Sequence, residues 1–177
     1  RYQGGLLAQT EPTVERSCLR TKAHHPRDFE LTLNFQTTGG KRWKSTGIRF
    51  DVDGKGENAH IVYVSAFVNG PKVQLAHTVA GRNIYPANAK ADLPIRLNQD
   101  YVLNIKVRDD LINVALDGEF LLLGRFHDFQ LKFSNGVINN IDSIQNIICI
   151  DFVDVSCSLN HDSVISYNDL LSNNSLT

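Results

Sequence analysis

The sequence contains no methionine, a single tryptophan and only three cysteines. Three cysteines are too few for a disulfide scaffold, so the fold has to rest on a hydrophobic core. Cys149, inside the run Ile147-Ile148-Cys149-Ile150, is expected to pack as a buried free thiol. Cys18 and Cys157 lie toward opposite ends of the chain, where a closed sandwich pairs neighbouring strands. A bridge between them is left open by that spacing; it would stabilise by roughly 2–4 kcal/mol and imply an oxidising compartment. No apolar run approaches the ~20 residues of a membrane helix, and membrane insertion is not expected. Excess charge is missing too. Lys and Arg number 18 against 19 Asp and Glu, so the net charge of -1 offers no general field for nucleic acid or an anionic membrane, and any charged site must be local. With no Met and with Arg1 at its start, the chain is expected to be a processed form or an excised domain. The sequon Asn173-Asn174-Ser175 is compatible with secretion, which makes an extracellular setting the first expectation and a cytoplasmic one the second.

What is present is alternation. At 177 residues the chain suits one domain, whose core should bury about 70% of the unfolded surface. Phe29, Leu31, Leu33 and Phe35 alternate with Glu30, Thr32, Asn34 and Gln36, the period of a strand with one buried face. Ser45 to Val52, His60 to Val68 and Lys72 to Val79 continue the pattern, with Asn69-Gly70 as a turn. Tyr101 to Phe126 reads as a meander: three apolar runs divided by Asp109-Asp110 and Asp117-Gly118. Further strands are expected at Thr13 to Arg20, Phe129 to Phe133 and Ile144 to Val155, while Arg1 to Glu15 and Ala80 to Gln99 read as loops. About ten strands with turns every eight to twelve residues spell an all-β sandwich.

In their order these features resemble the galectins, β-sandwich lectins that bind β-galactosides on a concave sheet. The resemblance runs over roughly Tyr2 to Leu159. It is carried by FELTLNF at Phe29 to Phe35, by GIRFDVD at Gly47 to Asp53 with HIVYVSAFVNG at His60 to Gly70, by the block from Tyr101 to Leu122, and by FHDF with the strand Ile141 to Val155. It implies an antiparallel two-sheet β-sandwich, a galectin-like or concanavalin-like jelly roll, over residues 1–160, with 161–177 as a tail or a short helix. Carried across residue by residue, the family's alternating His, Asn and Arg fall on Arg49, Asp51 and Asp53, and its next Asn falls on Val64 beside Ser65. The stacking Trp falls on Pro71 or Lys72, and the acidic and basic residues after it on Gln74 or Leu75 and on Ala76 or His77. The galactoside signature is not matched. Carboxylates accept where the family's Arg and His donate, and the sole Trp, Trp43, stands in a different loop.

The candidate ligand-binding set is therefore Arg49, Asp51, Asp53, His60, Val64, Gln74 and His77, against the bland alternative of a solvated sheet face. Lys41, Arg42, Trp43 and Lys44 put three cations around one aromatic, a basic patch suited to an acidic glycan or a phosphate-bearing partner, or simply a soluble edge loop. Asp51 to Gly56 has the outline of a calcium loop but carries Lys55 at its fifth position and Val62 at its twelfth. Histidines 24, 25, 60, 77, 127 and 161 lack zinc-ligand spacing, and neither a nucleophile elbow nor a phosphate loop is present, so neither metal nor cofactor is expected. The expected function is a non-enzymatic binding module that takes a non-standard glycan or glycoprotein, or a protein partner. The alternatives are a protein-interaction or dimerisation domain without sugar binding, homodimer included, and a sandwich of the laminin-G or keto-disaccharide-hydrolase type.

Overall fold

Alternation along the strands decides which face of each is buried. Phe29, Leu31, Leu33 and Phe35 are buried while Glu30, Thr32 and Asn34 stay partly exposed. The computed structural model describes residues 2–3, 6–10, 16–20, 25–125, 144–153 and 156–159. Among these, the strands in chain order are β1 (Tyr2–Gln3), β2 (Leu6–Gln9), β3 (Arg16–Arg20), β4 (Phe29–Gly39), β5 (Ser45–Asp53), β6 (Ala59–Ser65), β7 (Lys72–Val79), β8 (Arg82–Ile84), β9 (Lys90–Asp92), β10 (Asp100–Arg108), β11 (Leu111–Leu116), β12 (Glu119–Arg125), β13 (Ile144–Val153) and β14 (Ser156–Leu159). They form two antiparallel sheets. One runs β1-β2-β14-β4-β10-β11-β12; the other runs β3-β13-β5-β6-β7-β8, with β9 also paired to β7.

The core lies between the layers. Leu31, Leu33, Leu103, Ile105, Ile112 and Val114 of the first sheet meet Ile48, Phe50, Val62, Val64, Val73 and Leu75 of the second. Asp117 and Gly118 both take positive φ, 51° and 80°, the left-handed pair of a two-residue hairpin, and Asp117 Oδ1 accepts from the Val102 N–H at 2.7 Å. The meander expected from Tyr101 is thus β10, β11 and β12. The expected loop from Ala80 to Gln99 instead contains β8 and β9, and the entering loop contains β1 and β2. The expected strand at Phe129 to Phe133, the C-terminal tail or helix and the Asn173 sequon lie outside the described residues.

Cys149 is a free, buried thiol, as expected. The Cys18–Cys157 bridge is corrected: Cys18 forms no disulfide and is exposed on β3 of the second sheet, whereas position 157 belongs to β14 of the first, so the two sit in different layers. What lies beside Cys18 is Cys149, whose thiol is lowered to about 6 by its hydrogen bond with Cys18, against the opposing effect of burial and with help from the Arg20 and Arg49 charges. Among the described residues, no helix is long and apolar enough to cross a membrane.

Where β5 passes β6, Gly47 permits a close approach. A Cβ there would lie 2.5 Å from the Val62 carbonyl oxygen and 2.6 Å from Tyr63 Cβ. Gly47→Ala is expected to lower stability by about 1–3 kcal/mol, measured as a fall in the urea midpoint; an unchanged midpoint would show that the two strands have room to spare.

Candidate functional site

Because Ile48, Val62, Val64, Val73 and Leu75 are claimed by the core, their neighbours on β5, β6 and β7 must face outward. Cross-strand pairing sets these into rows. Ser45, Ser65, Lys72 and Asp92 stand side by side across β5, β6, β7 and β9; Gly47, Tyr63, Gln74 and Lys90 form the next row; Arg49, Ile61 and Ala76 form a third. The first two rows and Ile61 line a groove of about 1050 Å³. Its walls are aromatic. Trp43, 43% exposed, stands at one side beside Phe67, ring centroids 5.1 Å apart, and Tyr85, 51% exposed, lines the groove from the position just after β8, at the other end of the sheet.

Each wall is held from below. The Trp43 carbonyl accepts from the hydroxyls of Ser45 at 3.1 Å and Ser65 at 2.7 Å, and the Lys44 carbonyl accepts from the Ala66 N–H, which clamps the β4–β5 loop onto β6. Opposite, Arg49 Nη2 donates to Thr78 Oγ1 at 3.0 Å, that hydroxyl donates to Asn83 Oδ1 at 2.9 Å, and Asn83 Nδ2 donates to the Tyr85 hydroxyl at 3.3 Å. On the floor the Tyr63 hydroxyl donates to Gln74 Oε1 at 2.6 Å. Burial, then the neighbouring Tyr85, pushes the Tyr63 phenol well above its ordinary range, so it remains a donor.

No protein-family model matches this chain, and neither does any curated protein. Solved structures do. The carbohydrate-binding module CBM66 of Bacillus subtilis superposes with a TM-score of 0.63 at 15% identity, over 88% of this chain and 92% of that one. The metal-free Emp46p carbohydrate recognition domain gives 0.60 at 11% identity over 90% and 81% of the two chains. Galectin LEC-6 of Caenorhabditis elegans gives 0.55 at 12% identity over 88% and 94%. The fold is galectin-like. At such identities the likeness establishes the architecture and nothing finer.

Within this galectin-like sandwich the candidate set from the sequence is divided between two faces. Gln74 lines the groove, and Trp43, from the candidate basic patch, forms its wall. Arg49 points to the groove side but is only 4% exposed, committed to Thr78 and the Gly56 carbonyl. Strict alternation along β5 placed Asp51 and Asp53 beside it, and that placement is corrected. Asp51 has φ of 51°, a left-handed residue inside a strand, and this reverses the side on which the next residues fall. Its carboxylate accordingly meets inward-facing histidines: Oδ1 lies 3.3 Å from His25 Nε2 and Oδ2 lies 3.9 Å from His60 Nε2. Val52 is turned outward to pack with Ala59 and Cys149, closing that end of the sheet. Asp53 caps the following turn, accepting from the Glu57 N–H at 2.8 Å and from Asn58 Nδ2 at 2.6 Å, bonds that hold its carboxyl below the usual range against the opposing effect of burial.

His60, Val64 and His77 are corrected for the same reason of face. His60 pairs across the sheet with Phe50 and with His77, and Val64 is 1% exposed in the core. Together His25, Asp51, His60 and His77 make a polar pocket at the edge of the core, against Phe29 and Phe50. His25 is buried there. Among the described residues, no cluster of His, Cys, Asp and Glu is arranged to hold a metal. The lining residues missed by sequence reasoning include Tyr63, Asn83, Tyr85 and Asp92. Tyr63 was findable, since it lies at a position that the core pattern of β6 leaves outward, opposite Gln74.

Two outcomes test this placement. Val64→Asn, which installs the amide that galectins carry there, is expected to cost roughly 1–3 kcal/mol as an unpaired buried polar group; no loss of stability in urea would put position 64 on the groove side. The second concerns pH. His60 Nδ1 and His77 Nδ1 are 2.6 Å apart, a contact that needs one ring to donate and the other to accept. His60 is lowered to about 4 by burial, partly offset by Asp51, and His77 to about 3 by burial and then by His60. The unfolded chain binds these protons near 6.5 and the folded chain does not until about 4 and 3, so this stability is whole above 6.5, is lost progressively as pH falls below it, and is gone once pH has fallen through about 4 and 3. The urea midpoint should drop between about pH 7 and about pH 5, and the drop should shrink in the His60→Asn, His77→Asn double variant; an equal drop in both proteins would assign it elsewhere.

Proposed function

We propose that this chain is a non-enzymatic glycan-binding module and that its ligand lies in the groove between Trp43 and Tyr85. The observation that carries the reading is the groove itself: aromatic walls with hydrogen-bonding groups set in rows on a rigid sheet floor. Sugars offer apolar C–H faces to aromatic rings and hydroxyls to amides, and such a surface meets both needs. Its volume, about 1050 Å³, lies just above the ~300–1,000 Å³ typical of single small-ligand sites and suits more than one sugar ring. The structural neighbours named as a carbohydrate-binding module, a carbohydrate recognition domain and a galectin support the same reading.

Binding rather than hydrolysis is favoured by the charge in the groove. Glycoside hydrolysis needs two carboxyl groups about 5–9.5 Å apart. Among the lining residues Asp92 alone carries one, and it is held by Lys90 Nζ at 2.7 Å.

On a glycan array the protein is expected to retain a defined set of oligosaccharides, and Trp43→Ala or Tyr85→Ala to weaken them about tenfold, in line with the ~0.5–1.5 kcal/mol of an aromatic contact. Lactose at millimolar concentration is expected to leave the Tm unchanged, because the galactoside residues are not in place; a rise of several degrees would overturn that part. Silence across the array, with a protein partner recovered by pull-down, would replace the proposal with an interaction module.

A further inference from the structure

Lys72 lies midway along the first row of the groove floor, between Ser65 and Asp92, and makes no ion pair among the described residues. Asp92, the carboxylate next to it, is taken by Lys90. Two residues along β7 on the same face, Gln74 is 6% exposed; its Oε1 is fixed by Tyr63, which leaves its amide nitrogen as a donor toward the groove. An ammonium and an amide N–H thus stand one pleat apart, roughly 6.6–6.8 Å along the strand. The Trp43 wall adds more charge of the same sign. Arg42 lies with its guanidinium 4.4 Å from the Trp43 ring centroid, a cation–π contact that keeps it at the rim, and Lys41 and Lys44 flank the pair.

Among the described residues that line the groove, Lys72 and Lys90 stand against the single carboxylate of Asp92. This local excess sits on a chain whose net charge is -1. An outward-facing lysine without a carboxylate, beside a nearly buried amide donor, is placed to receive an anion rather than to satisfy a neighbour.

We propose that the groove selects glycans carrying an anionic group, a carboxylate or a sulfate ester, seated between Lys72 and Gln74 with the sugar ring against the Trp43 wall. The proposal rests on the reading of the groove as a glycan site and adds the class of sugar. The carboxylate or sulfate accepts from the Lys72 ammonium and the Gln74 amide, and the rim cations steer the ligand in; Asp92 disfavours a second anion at the β9 side.

Calorimetric titration of the whole chain with three matched hexasaccharides separates the outcomes: a hyaluronan hexasaccharide bearing carboxylates, a chondroitin 4-sulfate hexasaccharide bearing carboxylates and sulfates, and neutral N-acetylchitohexaose. Either anionic probe is expected to bind at least tenfold more tightly than the neutral one, with an advantage that shrinks as salt rises. Which of the two leads identifies the group recognised. Lys72→Gln is expected to reduce that preference about tenfold, and Lys72→Glu to reverse it, with circular dichroism and the urea midpoint confirming that each variant is folded. Equal binding of all three probes, or retention on the array of neutral glycans alone, would overturn this inference and leave the glycan-binding reading intact. Silence toward every glycan would overturn both, and an acidic protein captured in their place would assign the cations to that partner.

Discussion

One constraint governs the second sheet: a side chain on β5, β6 or β7 serves either the core or the groove, and never both. The core takes Ile48, Phe50, Val62, Val64, Val73 and Leu75 because burying them against β4, β10 and β11 is what holds the layers together. The groove receives what is left, and that residue set is unlike either face of a solvated sheet. Small residues at 45, 47 and 65 open the floor below Trp43, while one hydrogen bond from Tyr63 fixes the Gln74 amide in place.

The constraint is broken once, at Asp51. A left-handed residue in the middle of a strand is unfavourable for any side chain except glycine, though least so for Asn and Asp. Here it turns a carboxylate toward His25 and His60 and turns Val52 away from the core to close one end of the sheet with Ala59 and Cys149. The hollow is thereby confined to the Trp43 end. Arg49, trapped between that apolar plug and Thr78, then acts at a distance through Asn83 on the set of Tyr85.

Much of the sandwich was legible in the residues. β7 and β11 fall where alternation places them, at Lys72–Val79 and Leu111–Leu116, and Asp117-Gly118 turns as its chemistry demands. β8 and β9 were not legible, because three residues of mixed exposure carry no period. The site was read in part. Gln74 and the aromatic at 43 were singled out, but the backbone angle of Asp51 leaves no trace in a hydrophobic pattern, so the acids were set on the wrong face. Nor does the sequence reveal that the Trp43 loop folds onto Ser65, a contact 22 residues away along the chain.

Trp43 is the sole indole of the molecule. It is pinned by its carbonyl to two serines, with Phe67 and a guanidinium against its ring. All intrinsic indole emission therefore originates at the rim of the hollow, and anything that displaces water or Arg42 from that ring alters the colour and yield of the light. The protein carries its own optical reporter of occupancy, without a dye or a tag.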